Sequence, residues 1–107
     1  MLNWVFLFFA GCCEVVWAVA LKYSDSFTRP IPAIVTVIGM TASVVLLGLA
    51  VRTLPIGTSY AVWTGIGSVG TAILGIILFH DPTSFWRLFF LCGIIVCITG
   101  LFVVSKT

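Results

Sequence analysis

The sequence predicts an all-α integral membrane protein with four transmembrane helices per subunit, assembling as an antiparallel, dual-topology homodimer. Three observations carry that prediction. The 107-residue chain is 62% hydrophobic and 7% charged, with a mean hydropathy of +1.30, whereas a soluble domain carries about a quarter charged residues. Its apolar residues fall into four runs, each near the roughly 20 residues that cross a bilayer. Its few basic residues are almost evenly divided between the two faces those runs imply.

The elements follow in order, with spans expected at about 3–22, 31–51, 57–79 and 85–104. The first is a span and not a cleaved signal. Met1-Leu2-Asn3-Trp4 has no basic n-region, no small-residue cleavage site follows, and three more apolar runs come after it. Lys22 to Pro32 holds Ser24, Asp25, Ser26, Arg29, Pro30 and Pro32, and therefore turns the chain. Pro55 marks the second loop, from Arg52 to Ile56, while Asp81 and Pro82 mark the third, from His80 to Ser84. Residues 1–107 read as one four-helix transmembrane domain with almost no mass outside the bilayer.

Charge placement sets the expected topology. Lys22, Arg29 and Arg87 lie on one face, and Arg52, Lys106 and the amino terminus on the other. Orientation follows the Lys/Arg excess on the cytoplasmic side, and this chain has nearly none. Such a chain inserts both ways, which yields an antiparallel pair; the alternative is a fixed topology decided by one or two charges.

Glu14 is the acidic residue that lies away from any loop. It sits about twelve residues into span one, or roughly 18 Å at 1.5 Å per residue, near the bilayer centre. A carboxylate there costs roughly 2.5–3.5 kcal/mol on insertion scales and marks a functional site. Ala10, Gly11, Glu14, Trp17, Ala18 and Leu21 recur at three- and four-residue spacing, so small residues on that face make room beside Glu14 for a helix or ligand. The plainer reading is close packing, with Glu14 as a hydrogen-bonding glue residue. In an antiparallel dimer only groups near the midplane meet their symmetry mates, so two Glu14 side chains face one cation-sized site.

Ser43 is similarly deep in span two, and Trp63 lies inside span three with Tyr60 nearer its entrance. Trp4, Tyr23 and Trp86 fit the aromatic belt at span ends. Trp17 and Trp63 are too deep for it. Either could fill a core, but beside Glu14 and Ser43 they suit the flat face of a cation.

Four further features carry less. Cys12 and Cys13 adjoin Glu14, yet successive helix positions point about 100° apart and cannot converge on one ion. Cys92 and Cys97 share no face, so no metal site is expected and the cysteines read as small apolar residues. Gly65 and Gly67, with Gly70 beyond, suit either a hinge in span three or close packing. Gly93 and Gly100 lie on one face of span four, which holds no deep ionisable group, and that face is expected to make the dimer contact. His80, beside Asp81 and Pro82, reads as a solvated helix-end residue.

The whole chain resembles the small multidrug resistance family of bacterial proton-coupled exporters. The resemblance rests on Gly11, Glu14 and Trp17 in GCCEVVWAVALKYS, on FTRPIP, on Ser43, and on LPIGTSYAVWTGIG from Leu54 to Gly67. Within the family, Glu14 to Ala18 and Ala61 to Gly67 look like the guanidinium-exporter branch; the broad multidrug branch usually has a small residue where this chain has Trp17. Two departures are Ser26, where many relatives have glycine, and the His80-Asp81-Pro82 ending of span three.

The resemblance implies a multi-pass protein of the bacterial cytoplasmic (inner) membrane. It implies helices one to three lining the site, helix four at the dimer contact, and Glu14 of both subunits binding either substrate or protons. Gly11, Trp17, Ser43, Tyr60 and Trp63 fall at the family's site-lining positions. The implied partners are a second copy of the chain, a guanidinium-type cation, protons and lipid, with no cofactor and no nucleic acid. Guanidinium is planar, permanently charged and rich in N–H donors, a fork that a carboxylate accepts bidentately, with Ser43 fixing that carboxylate. Protons and cation then compete for one site, and competition at a site with alternating access is antiport. The alternatives are a promiscuous quaternary ammonium exporter, one subunit of a heterodimeric exporter, and, more remotely, a small dual-topology ion channel. A carboxylate at the centre argues against an anion channel.

Overall fold

The structure, a computed structural model, describes residues 2–105. Lys106, which entered the charge balance, lies outside the described residues. Each apolar run forms one α-helix: α1 (Leu2–Tyr23), α2 (Pro30–Ala50), α3 (Ile56–Phe79) and α4 (Phe85–Ser105). Helix is the form that satisfies the backbone within a segment, as a hydrocarbon surrounding requires, and all four are long and apolar enough to cross a membrane.

Proline sets where α2 and α3 begin. Pro30 opens α2 at a position where no N–H is needed, and Arg29 before it is extended, with φ −98° and ψ 120°. Pro55 instead is itself the capping residue before α3, with φ −58° and ψ 137°. At the far end of α3, His80 is left-handed (φ 58°) and exposed, and its N–H and that of Asp81 both turn back to the Gly75 carbonyl.

Loop one holds three consecutive left-handed residues without a glycine: Asp25 (φ 48°), Ser26 (φ 60°) and Phe27 (φ 67°). That conformation costs roughly 1–2 kcal/mol per residue. Fully buried Ser24 offsets the cost. Its hydroxyl donates to the Leu21 carbonyl at 2.6 Å and accepts the Phe27 N–H at 3.1 Å. Its carbonyl receives the N–H groups of Thr28 and Arg29 at 2.9 and 3.0 Å. The turn therefore forms with serine at position 26.

The helices pack as a flat slab of 45 × 35 × 17 Å. α1 is central, between α2 and α3, and α4 lies outside against α3. Glycines permit the close approaches. A Cβ on Gly11 would lie 2.6 Å from Ile66 Cγ2, and one on Gly70 would lie 2.5 Å from Val15 Cγ2. A Cβ on Gly39 would come within 3.0 Å of Trp17 Cβ. The core is Leu7, Ala50 and Val62, surrounded by Trp4, Phe6, Leu47, Leu54, Trp63, Ile66 and Ile98.

α3 runs unbroken through its glycines, and the three at its middle each receive a neighbour. Gly65 takes the tip of Ile98, Gly67 takes the Glu14 carboxylate, and Gly70 takes Val15. α4 has no buried residue among those described. It touches α1 through Phe102, which meets Trp4 edge to face at 4.8 Å. Gly93 and Gly100 face open space.

Candidate functional site

Two polar layers lie one helical turn apart, the first across α1, α2 and α3 and the second between α1 and α3. In the first, the Trp63 indole N–H donates to Ser43 Oγ at 2.9 Å, and the Ser43 hydroxyl donates to the Ala10 carbonyl at 2.7 Å. Ser43 is fully buried, so this relay joins all three helices through a hydroxyl that has no water to turn to. Ala10 is the residue whose carbonyl the Glu14 amide meets in an α-helix. Ser43 therefore fixes the turn of α1 that presents Glu14. It does not hold the carboxylate itself, as the sequence suggested, because its proton goes to the Ala10 carbonyl.

The second layer lies four residues further along α1 and α3, or about 6 Å at 1.5 Å per residue. Glu14, Trp17 and Ala18 of α1 face Gly67, Ser68 and Thr71 of α3 around an open pocket of about 200 Å³. Gly67 is what lets the carboxylate in: a Cβ there would collide with Glu14 Oε1, and would lie 2.8 Å from Glu14 Cγ. Glu14 Oε1 and Trp17 Nε1 are both buried, and neither has a hydrogen-bond partner among the described residues. One is an acceptor and the other a donor. Buried polar atoms are normally paired, so two orphans at one pocket mark a place that receives something.

The remaining expected residues divide. Tyr60 is 55% exposed, its ring 5.4 Å from that of Trp63; it joins the first layer from outside. Gly11 is turned to Ile66 and supplies close packing instead of lining the Glu14 pocket. Ser68 and Thr71 line the pocket without having been singled out in the sequence, and Ser59 is a fully buried hydroxyl without a partner among the described residues. The spacing Ser59, Trp63, Gly67, Thr71 was the available signal, since every fourth residue follows one stripe of a helix.

No group of histidine, cysteine or acidic residues among those described could hold a metal ion. The four cysteines are free.

Residues 2–95 match the family model described as Small Multidrug Resistance protein. The chain is also similar to proteins named guanidinium exporter. That of Proteus vulgaris is 50% identical over 100 residues, covering 94% of this chain and 96% of the relative. That of Yersinia pestis is 52% identical with the same coverage, and that of Citrobacter freundii is 51% identical over 94% of this chain and 95% of its own. These relatives are exporters and not enzymes. Four spans, a carboxylate seated in the glycine gap of a neighbouring helix, and half-identical relatives along nearly the whole length converge: this chain is a multi-pass protein of the bacterial inner membrane and belongs to the small multidrug resistance family.

Proposed function

We propose that this protein exports guanidinium and small substituted guanidinium cations in exchange for protons, with Glu14 as the group that both compete for. The single observation that carries this reading is the buried, unpaired Glu14 oxygen at a pocket it shares with the Trp17 indole. Burial strips water from a carboxylate and leaves its lone pairs to be met by a fork of N–H donors or by a proton. Guanidinium offers that fork, and its flat faces match the indole of Trp17 at a gain of about 0.5–2 kcal/mol when desolvated. The named relatives support the same cargo.

Each further residue takes a role in that cycle. The Trp63–Ser43–Ala10 relay holds the α1 turn, so that Glu14 meets the cargo in a fixed geometry. Tyr60 extends the aromatic surface at the edge. Gly65 and Gly67 are the positions where α3 bends to open the pocket to one side or the other. Two copies pair antiparallel through α4 along Gly93 and Gly100, which lack a neighbour within the protomer. Two Glu14 carboxylates then share one midplane site, and the Trp17 N–H finds an acceptor from the second copy. Transporters commonly bind at the midplane between inverted halves, and this chain would supply both halves itself.

Alternating access at such a site couples the two flows. A carboxylate that holds a proton cannot hold the cation, so inward protons release outward cargo. Guanidinium binding, read from tryptophan fluorescence in detergent, is expected to weaken steadily as pH is lowered from about 8 to about 5. Affinity that stays flat across that window contradicts proton competition.

A further inference from the structure

A second cavity lies away from the Glu14 pocket, along α1 and α2 toward loop one, with Leu74 of α3 in its wall. It is a groove of about 460 Å³ whose walls include Val15, Val19 and Tyr23 of α1 and Ile31 and Val35 of α2, with Arg29 at its mouth. The walls are almost entirely carbon, and the polar groups, Arg29 and the Tyr23 phenol, are gathered at the loop end. From Val15 to Tyr23 the groove follows eight residues of helix, or about 12 Å. Half of a hydrocarbon core of about 30 Å is close to that length. The groove therefore runs from headgroup level to near the midplane of one leaflet.

We propose that this groove is a binding site for an anionic phospholipid, with one acyl chain laid between α1 and α2 and the phosphate on the Arg29 guanidinium. Charge selects this occupant. No carboxylate pairs with Arg29 among the described residues. The acidic residues of the chain are Glu14 at the midplane and Asp25 and Asp81 in loops one and three. The opposite face, which an antiparallel second copy would bring alongside, carries Arg52 and no acid. A second copy laid in the groove would thus set like charge beside Arg29, and a guanidinium-type cation would be repelled by it. A phospholipid answers both ends: guanidinium takes phosphate oxygens as a planar fork, and the acyl chain fills the carbon walls. The site also touches the transport machinery at one point. Val15 closes the deep end of the groove, adjoins Glu14 in sequence and is seated on Gly70. The proposal stands whatever the cargo of the Glu14 pocket.

The test is native mass spectrometry of the detergent-purified protein, offered phosphatidylglycerol and phosphatidylcholine of matched acyl chains. Retention of phosphatidylglycerol over phosphatidylcholine by about fivefold is expected, in line with one basic residue acting near an anionic headgroup. Arg29→Gln should bring the two lipids to parity, and Arg29→Lys should keep most of the preference. Arg52→Gln, which removes the same charge at the other end, should leave it unchanged. A phosphatidylglycerol with short acyl chains should be retained less well than the long-chain lipid. Parity in the unaltered protein, a preference that survives Arg29→Gln, an equal loss in Arg52→Gln, or equal retention of the short-chain lipid would each overturn the proposal.

Discussion

At the scale of single residues, the site is a contrast between polar groups that are paired and polar groups that are not. Trp63, Ser43 and Ala10 form a closed relay, whereas Glu14 and Trp17 each keep an atom unpaired. The relay is structural in effect, so its loss should register in stability before it registers in chemistry. Ser43→Ala leaves the Trp63 N–H and one Ala10 lone pair unmet in a buried layer, which costs about 1–3 kcal/mol. Thermal unfolding in detergent should show a lowered midpoint, with Trp63→Phe milder because it removes the orphaned donor together with the bond.

Glu14 was legible in the sequence because a carboxylate in the middle of an apolar run has few reasons to be there. Ser68, Thr71 and Ser59 were not, for an equally physical reason. Hydroxyls in apolar helices commonly bond their own backbone one turn back. Thr36, Thr41 and Thr99 do so here, to Pro32, Val37 and Ile95 at 2.8 to 2.9 Å. Nothing in the residue type separates those self-satisfied hydroxyls from the ones that line a pocket.

At the scale of elements, the four helices and their boundaries follow from apolar length and from Pro30 and Pro55. The path of loop one does not. Three successive left-handed residues without glycine are the least expected backbone in the chain, and they are held by the bonds converging on Ser24. Ser26 bonds nothing within the loop, so Ser26→Gly should remove strain without removing a contact. An increase of about 1 kcal/mol in stability is expected, which is the low end of the left-handed penalty. Unchanged or lowered stability in detergent unfolding would mean that the loop carries no such strain. The glycines of α3 show the limit from the other direction. Their spacing alone fits packing as well as bending, and only the three-dimensional arrangement assigns Ile98, Glu14 and Val15 to the gaps they leave.

At the scale of the whole molecule, a slab 17 Å thick whose outer helix has no fully buried residue among those described has only a small hydrophobic core. In a bilayer the lipid is as apolar as leucine, and association rests on close packing of small residues and a few hydrogen bonds. The open glycine face of α4 and the near balance of Lys22, Arg29 and Arg87 against Arg52, Lys106 and the amino terminus in the sequence are what the proposed antiparallel pair would use. Composition carried the class of the protein with little ambiguity. Assembly is less visible in sequence, since pairing depends on which exposed face meets a second copy, and every face of a membrane helix is apolar.

Glu14 as the exchangeable charge for a guanidinium-type cargo is the proposal on which the transport cycle turns. Its most direct measurement is the transport current from proteoliposomes perfused first with guanidinium and then with a tetraalkylammonium ion at neutral pH. A current with guanidinium alone is expected, absent in Glu14→Gln. A current that persists in Glu14→Gln, or one of equal size with the tetraalkylammonium ion, would contradict it.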